Sequence, residues 1–388
     1  MKNKQLCLLS IISSGLLVQA DMTAAPLVSI GDNTDIFFNG SSSLRWASNI
    51  FRDEDSEVDD LTWTLSPGFE INVGRGASNA DFSVITRYDV VRYQDNDELD
   101  VELFHIKALG SYKTSRLDVS GSVAYDENKS SSGESNITDD LIEFDTVKAD
   151  LNAEYRVSPK FSFGSGFRYS ETEYQTYTYY FADRESLTVP VDVFYELTSK
   201  VDLSLGYSYT NTDVDATLLS PNGDYTRESS FYNIGARGLL LPKVTGSFKV
   251  GYRTQDNDRP NSDDSGMLGL DANFSWSATP KLTMRLDLSR DFGVAGEGQS
   301  TENTSVDVSA AYSINSYFAA SANLGYTVRD YTNTGRDDDQ YNAGLRFSYS
   351  PNQYWSFSSG YTYSENSSNE VGRSYDNHTV DLTATLRY

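Results

Sequence analysis

Apolar and polar residues alternate one for one along most of this chain, and that pattern leaves few folds open. In Leu61–Val73, the residues Leu61, Trp63, Leu65, Phe69, Ile71 and Val73 fall on one face, with Thr62, Thr64, Ser66, Glu70 and Asn72 on the other. Period two sustained over this length describes a strand with one apolar and one polar face. The pattern returns in Leu117, Val119, Gly121, Val123 and Tyr125 against Asp118, Ser120 and Ser122. It returns again in Val147, Ala149, Leu151, Ala153 and Tyr155 against Lys148, Asp150, Asn152 and Glu154. Helical spacing is nowhere comparable. The pattern predicts an all-β chain of about eighteen strands (16–18), starting near Asp35.

The connections alternate in length. Short ones include Gly74-Arg75-Gly76, Ser158-Pro159-Lys160, Thr279-Pro280-Lys281 and Pro351-Asn352-Gln353, and their lysines and prolines read as tight polar hairpin caps. Long ones are polar and acidic: residues 52–60, 126–140, 256–266 and 335–339. A propeller shares the period of roughly 40 residues but not the long/short alternation. Strands of about ten residues, short turns at one end, long loops at the other and an even count together describe a transmembrane, antiparallel, up-and-down β-barrel. The expected layout has short periplasmic turns, long acidic extracellular loops and both chain ends on the periplasmic side.

The N-terminus carries Lys2 and Lys4, then an apolar run from Leu6 to Val18, then Val18-Gln19-Ala20. These are the three regions of a secretory signal, so residues 1–20 are expected to be removed after export through the Sec pathway, with an alternative cut after Ala25. Residues 21–34 then form a short periplasmic segment, and 35–388 the barrel. The only cysteine, Cys7, lies in the signal, so neither disulfides nor thiol chemistry is expected of the exported chain.

Composition fits this layout. The net charge of −25, from 56 acidic against 31 basic residues, speaks against nucleic-acid binding. The 27 tyrosines and 19 phenylalanines speak against disorder. Tyr and Trp favour the membrane–water boundary, and an aromatic girdle is predicted at Trp46, Trp63, Tyr88, Tyr155, Trp276, Tyr312, Tyr349 and Trp355.

The C-terminal stretch Val380-Asp381-Leu382-Thr383-Ala384-Thr385-Leu386-Arg387-Tyr388 has an apolar face ending on an aromatic residue. It resembles the assembly signal of bacterial outer-membrane proteins, which implies that Val380, Leu382, Leu386 and Tyr388 are read by the barrel-assembly machinery. The units SPKFSFGSGFRYS (158–170), TSKVDLSLGYSYT (198–210) and SPNQYWSFSSGYTYS (350–364) resemble the putative β-barrel porin 2 family. That resemblance implies a porin-like channel in the outer membrane of a Gram-negative bacterium.

A barrel of about eighteen strands is wide enough for an aqueous lumen. The polar face predicts pore-lining residues Asp118, Asp150, Glu154, Asp192 and Glu196 on one arc, and Arg237, Lys249, Arg253, Arg285, Arg329 and Arg346 on another. Two readings of these arcs stay open: a transverse field across the pore, or a mutually neutralising network of ion pairs. The loop 126–144 lies where general porins place a constriction, but lacks their Pro-Glu-Phe-Gly-Gly motif. Tyr174–Phe181 reads as an interfacial extension of two strands rather than a sugar platform.

His105 and His378 lie on different strands with no Ser or metal partner in sequence, and no phosphate loop or EF-hand spacing occurs. No enzyme activity, cofactor or metal is expected. The expected function is passive diffusion of small polar solutes, with outer-membrane lipid and lipopolysaccharide as surroundings. An exopolysaccharide-export barrel and a non-conducting surface scaffold or adhesin are the competing readings. The solute, and whether the chain is a monomer or a trimer, are not legible.

Overall fold

The computed structural model describes residues 25–74, 78–131, 139–218, 223–258, 264–332 and 334–388. The expected signal peptide lies outside the described residues, as do parts of the Gly74–Gly76 turn and of the 126–144 and 256–266 loops.

Period-two patterning produces long strands in chain order: β1 (Val28–Ile30), β2 (Thr34–Ala47), β3 (Asp60–Val73), β4 (Ala80–Tyr93), β5 (Val101–Lys113), β6 (Leu117–Ser130), β7 (Ile142–Arg156), β8 (Phe161–Tyr174), β9 (Arg184–Thr198), β10 (Val201–Val214), β11 (Tyr225–Leu241), β12 (Val244–Asn257), β13 (Ser265–Thr279), β14 (Leu282–Val294), β15 (Ser300–Ser313), β16 (Phe318–Tyr331), β17 (Asp337–Tyr349), β18 (Trp355–Ser368) and β19 (Tyr375–Arg387). From β2 onward each strand pairs antiparallel with the next, and β19 pairs with β2 to close an eighteen-strand ring. Closure matters physically because an open sheet edge has no water to bond in a bilayer. The strands exceed the roughly 9–11 residues that cross the hydrocarbon, so their ends project past it.

The seam has its own construction. Arg387 of β19 pairs with Asn39, which leaves the start of β2 without β19 beside it. The terminal residue extends the ladder, with Tyr388 N donating to Phe38 O at 2.9 Å and Phe38 N to Tyr388 O at 2.6 Å. Beyond it, β1 takes over, pairing Val28 with Ile36 and Ile30 with Thr34.

Alternation along the ladders gives each residue its face. Large apolar side chains on the outward face are open to the surroundings, including Leu205 (65% exposed), Ile234 (61%) and Leu268 (60%). In water such a belt would be an aggregation surface; in a bilayer it is the solvated face.

The short turns carry caps beyond those of the sequence expectation. Thr114, Ser158, Thr198 and Thr279 each accept, through the side-chain oxygen, the main-chain N–H groups two and three residues on. Asn315 and Asn352 do the same through their amide oxygens. These local side-chain acceptors hold the turns themselves, while Lys243 Nζ and Lys281 Nζ donate to the Ala278 and Ile314 carbonyls of the neighbouring turns at 3.1 and 2.7 Å. The β11–β12 turn departs from this, using Pro242 followed by Lys243 at φ 64°.

Prolines inside strands are accommodated by gaps in the ladder. Pro190 sits in mid-β9, and the β8–β9 pairing skips from Ser165–Val191 to Arg168–Thr188 around it. Ser165 Oγ donates to the Pro190 carbonyl at 3.0 Å. Pro67 in β3 coincides with a similar gap opposite β4.

Candidate pore and its lining

Contacts between distant strands identify the inner face. Arg237 of β11 donates Nη1 and Nη2 to the Glu154 carboxylate of β7 at 2.8 and 2.7 Å. Lys249 of β12 reaches both Asp192 oxygens of β9 at 2.7 and 2.8 Å. Side chains separated by three or four strands touch only through the interior. Ladder alternation then carries that face around the ring.

On this face lie all eleven of the charged residues read from the sequence, in several different settings. Arg237 also meets Asp202 at 3.1 Å and stacks 3.5 Å over the Phe194 ring. Arg253 joins Asp271 at 2.8 Å and Asp291 at 3.1 Å, over the ring of Phe231. Arg346 makes a two-pronged bond to Asp381 of β19, 2.9 Å on each side. Arg329 donates to Asn303 at 3.3 Å. Asp118 bonds Lys113 at 2.5 Å, and Asp150 bonds Ser122. Glu196 stands opposite Asp202 in the β9–β10 ladder, and Arg285 opposite Ser309 in β14–β15.

The two arcs therefore do not merely confront each other across water. Where β7–β9 meet β11–β12, their charges bond directly, and the sheet curls tightly enough to let them. Small residues make room: an added Cβ at Gly164 would lie 3.0 Å from the Phe194 ring, and one at Gly206 2.3 Å from Asp192 Oδ1.

Burial divides the inner face into two sides. On β9–β12 it is packed, with Phe194, Ser204, Thr212, Arg227, Phe231, Asn233 and Arg253 all below 10% exposed. Elsewhere it is open: Lys148 of β7, Arg168 of β8, Arg285 and Asp287 of β14, and Asp307 of β15 are exposed. Each of these five stands away from the ends of its strand. An inward, mid-strand charge that is exposed borders space inside the barrel. Asp287 and Asp307 are directly paired across β14–β15. In the eighteen-strand ring, β14–β15 lie nine strands from β5–β6, so the Asp pair stands opposite Lys107 of β5, with Lys148 of β7 and Arg168 of β8 further round the ring.

Other inner residues escaped the sequence reading. His105 bridges Asp126 (Nδ1, 2.8 Å) and Asp89 (Nε2, 3.2 Å) across the β4–β6 wall. Arg387 sits 3.8 Å over Phe37 and bonds Glu70 at 3.0 Å. Ladder parity alone marks these residues as inward; it does not say which charge finds which ring.

At the outer end, connections pack through apolar clusters, one of Phe51, Leu99 and Leu141, another of Ile142, Tyr174 and Phe181. Within the Tyr-rich stretch, Phe181 is buried while Tyr179 is 72% exposed. Tyr177 donates to Asp140 at 2.7 Å, and that bond together with burial pushes its hydroxyl up to about 12. Burial, with Asp224 and Asp183 nearby, raises the Asp215 carboxyl. Burial opposes the charge of Arg336, but Asp338 beside it outweighs burial and raises the guanidinium pKa.

The eight residues predicted to form a girdle stand on the outward face, each 37–46% exposed. Tyr155, Trp276, Tyr312, Tyr349 and Trp355 lie near the short-turn end, Trp46 and Trp63 near the other, and Tyr88 closer to mid-strand. Val380, Leu382 and Leu386 share the outward face of β19, pairing with Trp46, Leu44 and Gly40 of β2.

The family model described as putative beta-barrel porin 2 matches residues 40–388, nearly the whole ring. The chain belongs to that family. As a β-barrel porin it resides in the outer membrane, surrounded by lipid. A BenF-like porin from Pseudomonas fluorescens Pf-5 superposes with a TM-score of 0.51 at 9% identity, covering 92% of this chain and 99% of that one. That likeness shows the fold. OpdK of Pseudomonas aeruginosa, crystallised with vanillate, gives 0.49 at 11% identity over 91% and 99% of the chains. A bacterial polysaccharide outer membrane secretin gives 0.38 at 12% identity over 91% and 98%. No curated protein matches the sequence significantly.

Proposed function

We propose that this porin passes small polar solutes by passive diffusion along the open side of its lumen. One observation carries the reading: inward, mid-strand Lys148, Arg168, Asp287 and Asp307 are exposed. A lumen packed like a protein core would bury them. Their arrangement supports an open path bordered by the exposed cations Lys148 and Arg168 on β7–β8, set among the acids Asp118, Asp126 and Asp150, and by the Asp287–Asp307 pair on β14–β15. Charged linings of this kind order water and favour polar over apolar solutes. The pore-lining assignment of the eleven residues separates accordingly. Arg285 borders the open path, whereas Arg237, Glu154, Lys249 and Asp192 brace the packed side.

Around this function we place export through the Sec pathway, assembly guided by Val380, Leu382, Leu386 and Tyr388, and a girdle seated among lipid and lipopolysaccharide. The barrel passes solutes and catalyses no reaction. Single-channel recording in planar bilayers tests the proposal. Steady ohmic steps are expected, and an electrically silent, correctly folded barrel would overturn it.

A further inference from the structure

We infer that residues 295–299, which join β14 to β15, form a strap across the outer mouth and set the aperture of the pore. The inference rests on the channel reading but names a part that reading does not use.

A five-residue connection at this end would ordinarily stand in water. Here Ala295, Gly296, Glu297 and Gly298 are buried. On one side the strap is bonded to the β9–β11 wall. Ala182 N donates to Gly296 O at 2.8 Å, and Tyr225 Oη donates to Gly298 O at 2.9 Å. Thr217 Oγ1 donates to Glu297 O at 3.4 Å, and Arg184 Nη1 to Val294 O at 3.1 Å. Gly298 has a φ of 79°, and an added Cβ there would lie 3.0 Å from Ala182 Cβ. Only glycine meets both demands without strain.

On the other side the Glu297 carboxylate meets Arg373 Nη1 at 3.1 Å, with side chains only 3% and 7% exposed. Arg373 lies in the β18–β19 connection, and its neighbour Gly372 N donates to Glu54 Oε2 of the β2–β3 loop at 2.6 Å. In the ring, β9–β11 and β19–β2 stand on opposite sides. The run of contacts therefore crosses the mouth from wall to wall. A carboxylate and a guanidinium taken out of water are costly unless each holds the other in good geometry. Their burial makes Glu297–Arg373 the latch that ties the strap to the far rim.

The test is bilayer recording on three full-length proteins. Removing residues 296–298 leaves a two-residue connection, a length that hairpins commonly use. This deletion is expected to raise single-channel conductance at least about twofold and to admit larger neutral sugars in liposome swelling, since the narrowest ring limits passage. Glu297→Gln combined with Arg373→Gln keeps the length and is expected to shift both readouts the same way by less. Heat-modifiable mobility identifies folded barrels in each case. If the wild type conducts and both variants match it, the strap inference fails while the channel reading stands. If the wild type is silent and the deletion conducts, the strap inference holds and the native pore is shut. If all three are silent, both fail.

Discussion

Three inward arginines lie flat against phenylalanine rings while holding carboxylates: Arg237 on Phe194, Arg253 on Phe231 and Arg387 on Phe37. A planar guanidinium does both at once, its face on the ring and its edge forked onto oxygen. Lysine carries the charge but not the plane. Arg237→Lys is therefore expected to destabilise the barrel by about 1–3 kcal/mol, through loss of the paired bonds to Glu154 and the stacking on Phe194. Folding titrations in lipid would measure it, and a variant as stable as wild type would show the pair to be dispensable. The inward position of Arg237 was legible, because a charge at the polar phase of an alternating strand points away from lipid. Its partner was not. Glu154 lies 83 positions away, and alternation says nothing about how a sheet curls. His105 stood in the sequence as a lone histidine for the same reason. Its two carboxylates come from other strands.

At the scale of the strand and the turn, the sequence spoke most clearly about faces and least clearly about what ends a strand. The patterned runs Leu61–Val73 and Val147–Tyr155 fall within β3 and β7. Leu205 is outward and 65% exposed, so Leu205→Arg is expected to cost about 2–4 kcal/mol near the bilayer midplane. Asn152→Arg, at an exposed position on the inner face of β7, should cost far less, and equal costs would overturn the face assignment. The turns were read incompletely because Lys and Pro are conspicuous, while the acceptor in front of them is a common Ser, Thr or Asn. Thr198→Ala removes one oxygen that serves two N–H groups. Its expected cost is about 1 kcal/mol, since water replaces part of the loss. Thr198→Ser should restore most of it. Pro190 shows what a closed sheet tolerates: the ladder opens for two pairs, and a neighbouring serine bonds the stranded carbonyl.

For the whole molecule, the exposed charges that border the open path make a prediction about ions. Asp287→Asn with Asp307→Asn removes the Asp pair, and the reversal potential in a salt gradient is expected to move toward anion preference. Lys148→Gln with Arg168→Gln should move it toward cations. Both shifts should shrink at high salt, as screening shortens the reach of each charge. Unchanged reversal potentials in both pairs would place the conduction path elsewhere. The acidic loops visible in the sequence do not decide this, since they lie at the mouth and these charges lie inside. How these charges stand across the lumen was not legible either. It depends on which strand stands nine places from which, and that follows only once the ring closes.

That closure fixes an order of events. Ser48 and Asn377 are in contact at 3.4 Å, separated by 329 positions, and the final tyrosine bonds back to Phe38. Contacts so remote in sequence are the slowest to find. Until the last strand has been made, β2 offers a bare edge, and whatever accompanies the chain must keep that edge occupied. The clasp of this barrel joins its first long strand to its last, so a chain cut even one strand short is a ribbon that has nothing to fasten to.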